Sequence, residues 1–489
     1  MPPFLALLFW FFFVLALLLF DPGKDLRPSL ALWVPLIWMF IDGSRLPSQW
    51  LGGQIQSASR ALEEGNGLDR AVLAFLILLA LVILLLRSFN WGGFFVRNFA
   101  LTALVFFALL SVLWSDFPFI SFKRWFRDLG TYLAILVVIS DPHPLAAVRT
   151  LLRRLCYLLI PLSILLIKYF PYIGKQYGFF SGNDMFVGAT TSKNMLGVAC
   201  LVSGLFFFWD TVNCWPDRKQ RRAKLTIYLN LVLLAMTLWL LNLANSATSK
   251  VCLVLGCLVI AAAHMRLTKR YPLFLKVLLP SCFILYLILA YGFNINGELA
   301  RGVGRDPTLT GRTHIWEVVL STNTNPLIGA GYASFWLGPR LQYVWRLAGG
   351  VNEAHNGYLE VYLNLGFIGL FLLGVLMIAS YRSICKRLTS RSSMTSLSLA
   401  LWTIVLFYNM TESAAFNGQL LWVSFLLVVI MVSAPIPIAH ETPPVKESAS
   451  VPSRFALQEG NALMERQATR SRDAFRCDAG YQSRRSSWR

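Results

Sequence analysis

Apolar runs recur along this chain, each close to the roughly 17–25 residues that cross about 30 Å of hydrocarbon as a helix. Inside a bilayer every backbone N–H and C=O must find a partner within its own segment, so repeated runs of this length dictate α-helices rather than open strands. The runs fall at 4–20, 28–42, 70–86, 96–114, 129–140, 151–170, 194–209, 225–241, 249–264, 272–293, 356–381, 395–410 and 418–435. Two are short: 28–42 contains Pro35, and 129–140 is barely long enough. The fold expected is all-α, a polytopic helical membrane protein with about 12–13 transmembrane helices and one large external loop.

Composition agrees. Of 489 residues 56% are hydrophobic and only 14% charged, against roughly a quarter charged in soluble domains. The formal charge of +20 could point to nucleic acid, but its placement does not. Arg87 and Arg97, then Arg149, Arg153 and Arg154, then Arg218, Lys219, Arg221, Arg222 and Lys224 sit in the short gaps between apolar runs or at the edges of those gaps. Arg266, Lys269 and Arg270, and finally Arg382, Lys386, Arg387 and Arg391, continue the series. All five clusters fall on one side of the proposed spans, which the positive-inside rule assigns to the cytoplasm. None of the eight cysteines falls in an external loop, so no external disulfide framework is expected. The first run, Phe4 to Phe20, lacks a preceding basic residue and a small-residue cleavage pattern, and reads as a retained span.

This divides the chain into N-terminal spans (1–95), central spans (96–293), the large loop (294–355), C-terminal spans (356–435) and a tail (436–489). The tail, rich in Pro, Ser, Arg and Gln, is expected to be a disordered cytoplasmic extension.

Polar chemistry gathers at the outward end. The 294–355 loop carries Arg301, Arg305, Arg312, Arg340 and Arg346 against Glu298, Asp306, Glu317 and Glu353, and its Trp316, Phe335, Trp336 and Trp345 argue for an ordered segment. It runs directly into Glu353-Ala-His-Asn-Gly-Tyr-Leu-Glu-Val-Tyr-Leu-Asn-Leu-Gly-Phe-Ile-Gly-Leu370. His355 stands where a span begins, and Asn356, Glu360 and Asn364 share one helix face through their four-residue spacing. Charged groups at a helix centre in lipid cost several kcal/mol, so this stripe faces either a wet substrate groove or neighbouring helices. Lys168, Lys175, Lys193-Asn194, the segment Asn242 to Lys250, Asn409 and Glu412 also lie near outward ends. Lys123, Arg124 and Arg127, in the loop after Trp114, are on the wrong side for an orientation signal. Either the topology differs locally there or these cations bind an anion. Blander duties exist for other candidates. His355 could be a polar cap, Arg312 could pair with Glu317 or Asp306, and Glu412 could cap or pair with an external arginine. Trp336 or Trp345 could stack on sugar.

Gly304-Arg-Asp-Pro-Thr-Leu-Thr-Gly-Arg-Thr-His-Ile-Trp316, Asn325-Pro-Leu-Ile-Gly-Ala-Gly-Tyr-Ala-Ser-Phe-Trp336 and the Glu353 to Leu370 stretch resemble the O-antigen ligase and polymerase superfamily, closest to its exopolysaccharide-production branch. Trp114-Ser-Asp-Phe-Pro118, Thr191-Ser-Lys-Asn194 and Asn409-Met-Thr-Glu412 support it, and the likeness runs from about residue 95 to 435. The resemblance implies glycosyl transfer on the periplasmic face of the bacterial inner membrane, with 294–355 as a periplasmic loop. The donor would be an oligosaccharide on undecaprenyl pyrophosphate; the acceptor would be another lipid-linked repeat or lipid A-core. It implies no cofactor and no metal, in line with the lack of an external carboxylate cluster suited to Mg²⁺. A flippase and a chain-length regulator are candidate partners besides the bilayer; nucleic acid is not.

The family histidine falls on His355, where an imidazole titrating near neutrality suits a general base. The family loop arginine falls on Arg312; with Arg305 and Lys193 it is expected to bind pyrophosphate, for which permanent charge and bidentate geometry suit Arg. Asn356, Glu360, Asn364 and Glu412 are assigned to the substrate groove. Three functions stay open: a polymerase, a ligase with the same chemistry and another acceptor, and a transporter or flippase that forms no bond. Polar groups gathered at one face, rather than at a midplane between repeats, favour an enzyme.

Overall fold

The computed structural model describes residues 1–20, 29–52, 65–177, 184–292, 312–388, 394–413 and 419–433. Arg301, Arg305, Asp306 and the tail at 436–489 lie outside the described residues. In chain order the helices are α1 (Pro3–Leu19), α2 (Trp33–Asp42), α3 (Gly67–Leu86), α4 (Trp91–Arg97), α5 (Phe99–Leu110), α6 (Pro118–Ile139), α7 (Pro144–Tyr169) and α8 (Lys193–Cys214). They continue as α9 (Arg221–Ala244), α10 (Ala247–His264), α11 (Pro272–Leu287), α12 (Arg312–Leu320), α13 (Gly338–Ala348), α14 (Gly357–Arg387), α15 (Met394–Tyr408) and α16 (Leu420–Ser433). A small antiparallel hairpin, β1 (Lys175–Tyr177) with β2 (Asp184–Phe186), is the β-structure among the described residues.

The chain is a multi-pass helical membrane protein. Among the described residues seven helices are long and apolar enough to cross: α3, α7, α8, α9, α10, the Leu273–Ala290 segment that contains most of α11, and α14. The pair Trp91–Arg97 and Phe99–Trp114, bent by 96°, makes an eighth, and α1, the Leu30–Asp42 helix, α15 and α16 are apolar but shorter. Twelve of the expected crossings therefore require the bent pair and all four shorter helices, and a thirteenth would have to be α6, which is not among the helices apolar enough to cross. The core lies where α8, α15 and α16 pack: Leu201, Phe207, Ile404, Leu421 and Phe425 are wholly buried.

α6 corrects the sequence reading. It starts at Pro118 and runs for 22 residues, so Lys123, Arg124 and Arg127 occupy helix turns rather than a loop. For Arg124 and Arg127 the unexpected side has a structural explanation, while Lys123 lies over the Phe119 ring of its own helix. Arg124 donates to the Ala333 carbonyl, Arg127 pairs with Asp128 at 2.8 Å, and the Tyr332 hydroxyl donates to Asp128 Oδ2 at 2.7 Å. These groups dock the large loop onto α6.

The same loop is fastened to the turn before α6. Trp114 Nε1 donates to the Ile328 carbonyl at 3.1 Å, Arg340 pairs with Asp116 at 2.6 Å, and Ser111 Oγ accepts from Tyr332 N at 2.9 Å. A third anchorage is a break in α14. Gly366 adopts φ 63° and ψ −163°, a conformation open essentially to glycine. Backbone groups freed at that break need partners inside a membrane protein. The loop supplies them: Ala330 N and Gly331 N donate to the Leu363 and Asn364 carbonyls, while Phe367 N and Ile368 N donate to Pro326 and Leu327. A Cβ on Gly366 would collide with the Leu327 backbone. The loop thus plugs a broken span, with Val319, Phe335 and Val344 of the loop packed in one apolar cluster with Leu363 of α14.

Candidate functional site

Asn356 caps α14, its Oδ1 accepting from Tyr358 N and Leu359 N at 3.1 Å each. Such a cap satisfies otherwise orphaned N–H groups of the first turn. Gly357 N then donates to the carbonyls of Asn409 (2.9 Å) and Glu412 (3.1 Å). No side chain fits at Gly357, because a Cβ would strike the Asn409 side chain. The turn before α14 is therefore locked to the turn after α15, which delivers Glu412 to His355.

His355 is held at φ 50°, the left-handed region that non-glycine residues adopt at a cost of order 1–3 kcal/mol and that clusters at functional sites. Its neighbour Ala354 is clamped from two sides: Ala354 N donates to Glu360 Oε1 at 2.6 Å, and Trp316 Nε1 donates to the Ala354 carbonyl at 2.8 Å. The imidazole Nδ1 meets Glu353 Oε1 at 3.1 Å and Glu412 Oε2 at 3.3 Å.

Glu412 is the hub. It accepts from Arg312 Nη2 at 2.6 Å, from Asn194 Nδ2 at 3.1 Å and from His355 Nδ1. Arg312 also donates to the Thr411 carbonyl. The side-chain hydroxyls of Thr248 and Thr411 are 3.0 Å apart. The starts of α8, α10, α12 and α14 and the end of α15 therefore meet at one place.

Burial pushes the Glu412 carboxyl up, but the His355 hydrogen bond and the Arg312 guanidinium outweigh it and hold it below the usual carboxylate range. Glu412 is thus an acceptor, and Nδ1 of His355 carries the proton between them. The other ring nitrogen, Nε2, has no partner among the described residues and retains its lone pair in the neutral ring. Burial lowers the His355 pKa, yet the hydrogen bond to Glu412 and the charges of Glu353 and Glu412 raise it above the ordinary histidine value. Burial also raises Glu353, against the pull of His355. This is a base oriented by carboxylates through one nitrogen and open at the other, the arrangement general-base chemistry uses.

Several expected residues sit elsewhere. Arg312 pairs with Glu412 rather than with Glu317 across the loop surface. Lys193 is exposed at the first position of α8; its neighbour Asn194 makes the contact to Glu412. Asn356, Glu360 and Asn364 do not form an open groove. Asn356 is spent on its cap, Glu360 is 5% exposed and accepts from Trp336 Nε1, and Asn364 Oδ1 accepts from Phe335 N. They hold the loop that holds His355. Trp336, buried with its N–H committed to Glu360, presents no face to a sugar. Arg305 lies outside the described residues.

Sequence reasoning missed Glu353 and Asn194 as site members, although each lies within two residues of one that it named. It also expected no carboxylate cluster here. The structure corrects that: Glu353, His355 and Glu412 each offer a ligand atom, all within 4.8 Å of one another. A divalent ion fits that donor set by geometry, but Arg312 already places a fixed positive charge on the same carboxylate.

Residues 229–374 match the family model described as O-Antigen ligase. That span contains Arg312 and His355 and stops before Glu412. Over 304 residues the chain is 27% identical to the exopolysaccharide production protein ExoQ of Rhizobium meliloti (strain 1021), covering 59% of this chain and 65% of that protein. The chain thus spans just under two thirds of the length of this curated relative.

Proposed function

We propose that this chain belongs to the O-antigen ligase and polymerase superfamily, which its matches support, and polymerises exopolysaccharide or O-antigen repeats by glycosyl transfer from undecaprenyl pyrophosphate. The reaction takes place on the periplasmic side of the bacterial inner membrane. One observation carries the reading: Glu412 joins His355, whose Nε2 is open, to Arg312, a fixed cation, beside the ends of several spans.

An acceptor hydroxyl loses its proton to His355 Nε2 as its oxygen attacks the anomeric carbon. The new C–O bond forms while the bond from that carbon to the pyrophosphate oxygen breaks, and the electron pair leaves with the lipid diphosphate. Arg312 stabilises the charge gathering on that leaving group; such preorganised stabilisation contributes about 3–4 kcal/mol in a water-poor site. Because pyrophosphate departs readily, a second carboxylate acting as general acid is not needed, and no metal takes part. The likeness to an exopolysaccharide production protein favours the polymerase. The family model's own description favours a ligase as the second reading.

Deletion of the gene separates the two. A polymerase leaves single repeats and no long polymer, whereas a ligase leaves lipid A-core bare while lipid-linked polymer accumulates. Purified protein given a lipid-linked donor and excess chelator should remain active; activity that returns only with Mg²⁺ rejects the metal-free mechanism.

A further inference from the structure

A second feature shares the N-terminal turn of α8 with this site. Thr191 and Met195 line a cavity of about 230 Å³, and Asn194 beside them donates to Glu412. The end of α2 with the turn after it, the middle of α6 and the residue before α16 supply other walls, with Asp42, Arg45, Gln49, Arg127 and Gln419. None of these walls takes part in the mechanism above.

Its charge is balanced: Arg45 and Arg127 oppose Asp42 and Asp128. Asp128 is saturated by Arg127 and by the Tyr332 hydroxyl. Asp42 is not. Its Oδ2 is buried with no hydrogen-bond partner among the described residues, an arrangement that costs free energy unless something fills it. Arg45 spends Nε and Nη2 on the carbonyls of Thr190 and Ile173 and leaves Nη1 over. Trp38 adds an aromatic wall, its N–H donated to Thr131.

We propose that this cavity seats one neutral sugar ring of the acceptor glycan, at the helix start from which Asn194 reaches Glu412. Carboxylate, guanidinium, primary amide and hydroxyl groups around an indole are the partners that a polyol ring satisfies by giving and taking hydrogen bonds. The volume lies below the roughly 300–1,000 Å³ of typical small-molecule pockets, so it takes a single ring and not an oligosaccharide. The donor is the poorer fit. Its reacting sugar carries the diphosphate on the anomeric carbon, and a cavity whose two guanidinium groups are matched by Asp42 and Asp128 offers no net positive charge to hold it. The acceptor reacts through a hydroxyl and needs no phosphate nearby.

The inference rests on the reading of this chain as a glycan transferase, and its test separates the two. The full-length protein in membranes is given lipid-linked repeat extracted from gene-deleted cells as donor, and the repeat oligosaccharide freed from lipid as acceptor. Asp42→Asn and Gln49→Ala should each raise the acceptor KM about tenfold and leave the donor KM unchanged. Gln49 is exposed, so its variant carries the test should Asp42→Asn fail to fold. An unchanged acceptor KM in Gln49→Ala and in any Asp42→Asn that folds, or a donor KM rising equally, overturns the proposal. If the wild type transfers nothing, the transferase reading fails, and thermal unfolding then decides the cavity. Free oligosaccharide should raise the midpoint of the wild type but not of Gln49→Ala. A shift in both, or in neither, removes the sugar subsite.

Discussion

Two carboxylates on this molecule look alike on paper and do different work. Glu412 accepts from Arg312, His355 and Asn194; Asp210 accepts from Arg149 at 2.5 Å, Arg153 at 3.1 Å and Asn230 at 2.9 Å. One helix links them. Asn194 lies in the first turn of α8 and Asp210 near its other end, roughly 24 Å apart at 1.5 Å per residue. The number of donors does not distinguish the two clusters, but their kind does. Around Asp210 both cations are guanidinium groups that never release a proton, and the Asp210 side chain is 0% exposed. Around Glu412 one donor is an imidazole with a spare nitrogen and 25% side-chain exposure. A triply bonded carboxylate marks a site only where one of its partners can still exchange a proton.

The sharpest way to break that comparison is to remove the imidazole. His355→Ala should lower transfer by about 10²–10⁴-fold, the range for losing a general base, with membrane accumulation unchanged. Wild-type turnover in that variant would return His355 to a capping role and make the two clusters equivalent. The counterpart is Asp210→Ala, which leaves Arg149 and Arg153 facing each other without a counter-charge. Removing one partner of a buried ion pair costs about 3–5 kcal/mol. Thermal unfolding and accumulation should therefore suffer, while turnover per folded molecule holds. A variant that folds normally but has lost turnover would give the far cluster a role in catalysis.

How much of this was legible beforehand differs between the regions. Helices over the apolar runs followed from hydropathy, because backbone satisfaction in a bilayer leaves no alternative. His355 and Arg312 could be named as candidates from motif and chemistry. The purpose of Asn356, Glu360 and Asn364 was not. Their spacing puts them on one face, but which surface that face meets depends on the break at Gly366 and on a loop returning from distant sequence. Glu353 and Asn194 were hidden for a related reason. Asn194 meets a carboxylate 218 positions away, and no local pattern encodes that distance. Arg124 and Arg127 misled because a charge that docks a loop and a charge that sets orientation are identical in sequence.

A smaller effect sharpens the contrast from the side of pH. The carboxylates beside His355 raise its pKa above the ordinary value. Its neutral, base-competent form is therefore lost as pH falls through that raised value. The acid limb of turnover should lie above where an isolated histidine would put it. Glu412→Gln removes the charge and hydrogen bond that support the imidazolium, so the limb should move to lower pH, with turnover at neutral pH reduced about tenfold as Arg312 and the ring lose their common anchor. A limb that stays in place would show that Glu412 does not hold the ring as the geometry indicates.

The smallest effect belongs to Lys193, and it asks whether exposed cations at the two ends of α8 are equivalent. Lys193 is exposed at the first position of that helix, next to Asn194, while Lys219 is exposed beyond its other end. Solvent screens both, and exposed pairings contribute only about 0.2–1 kcal/mol. Lys193→Ala should therefore raise the donor KM less than about fivefold, by the same scale. The difference should shrink as salt rises, because at about 0.1 M the screening length is near 10 Å. Lys219→Ala should leave the donor KM where it was, since its charge stands at the wrong end of the helix to meet a diphosphate. Equal shifts in the two variants would mean that the donor responds to the net charge of the protein. A shift confined to Lys193, and lost at high salt, would place the lipid diphosphate at the α8 start beside Glu412.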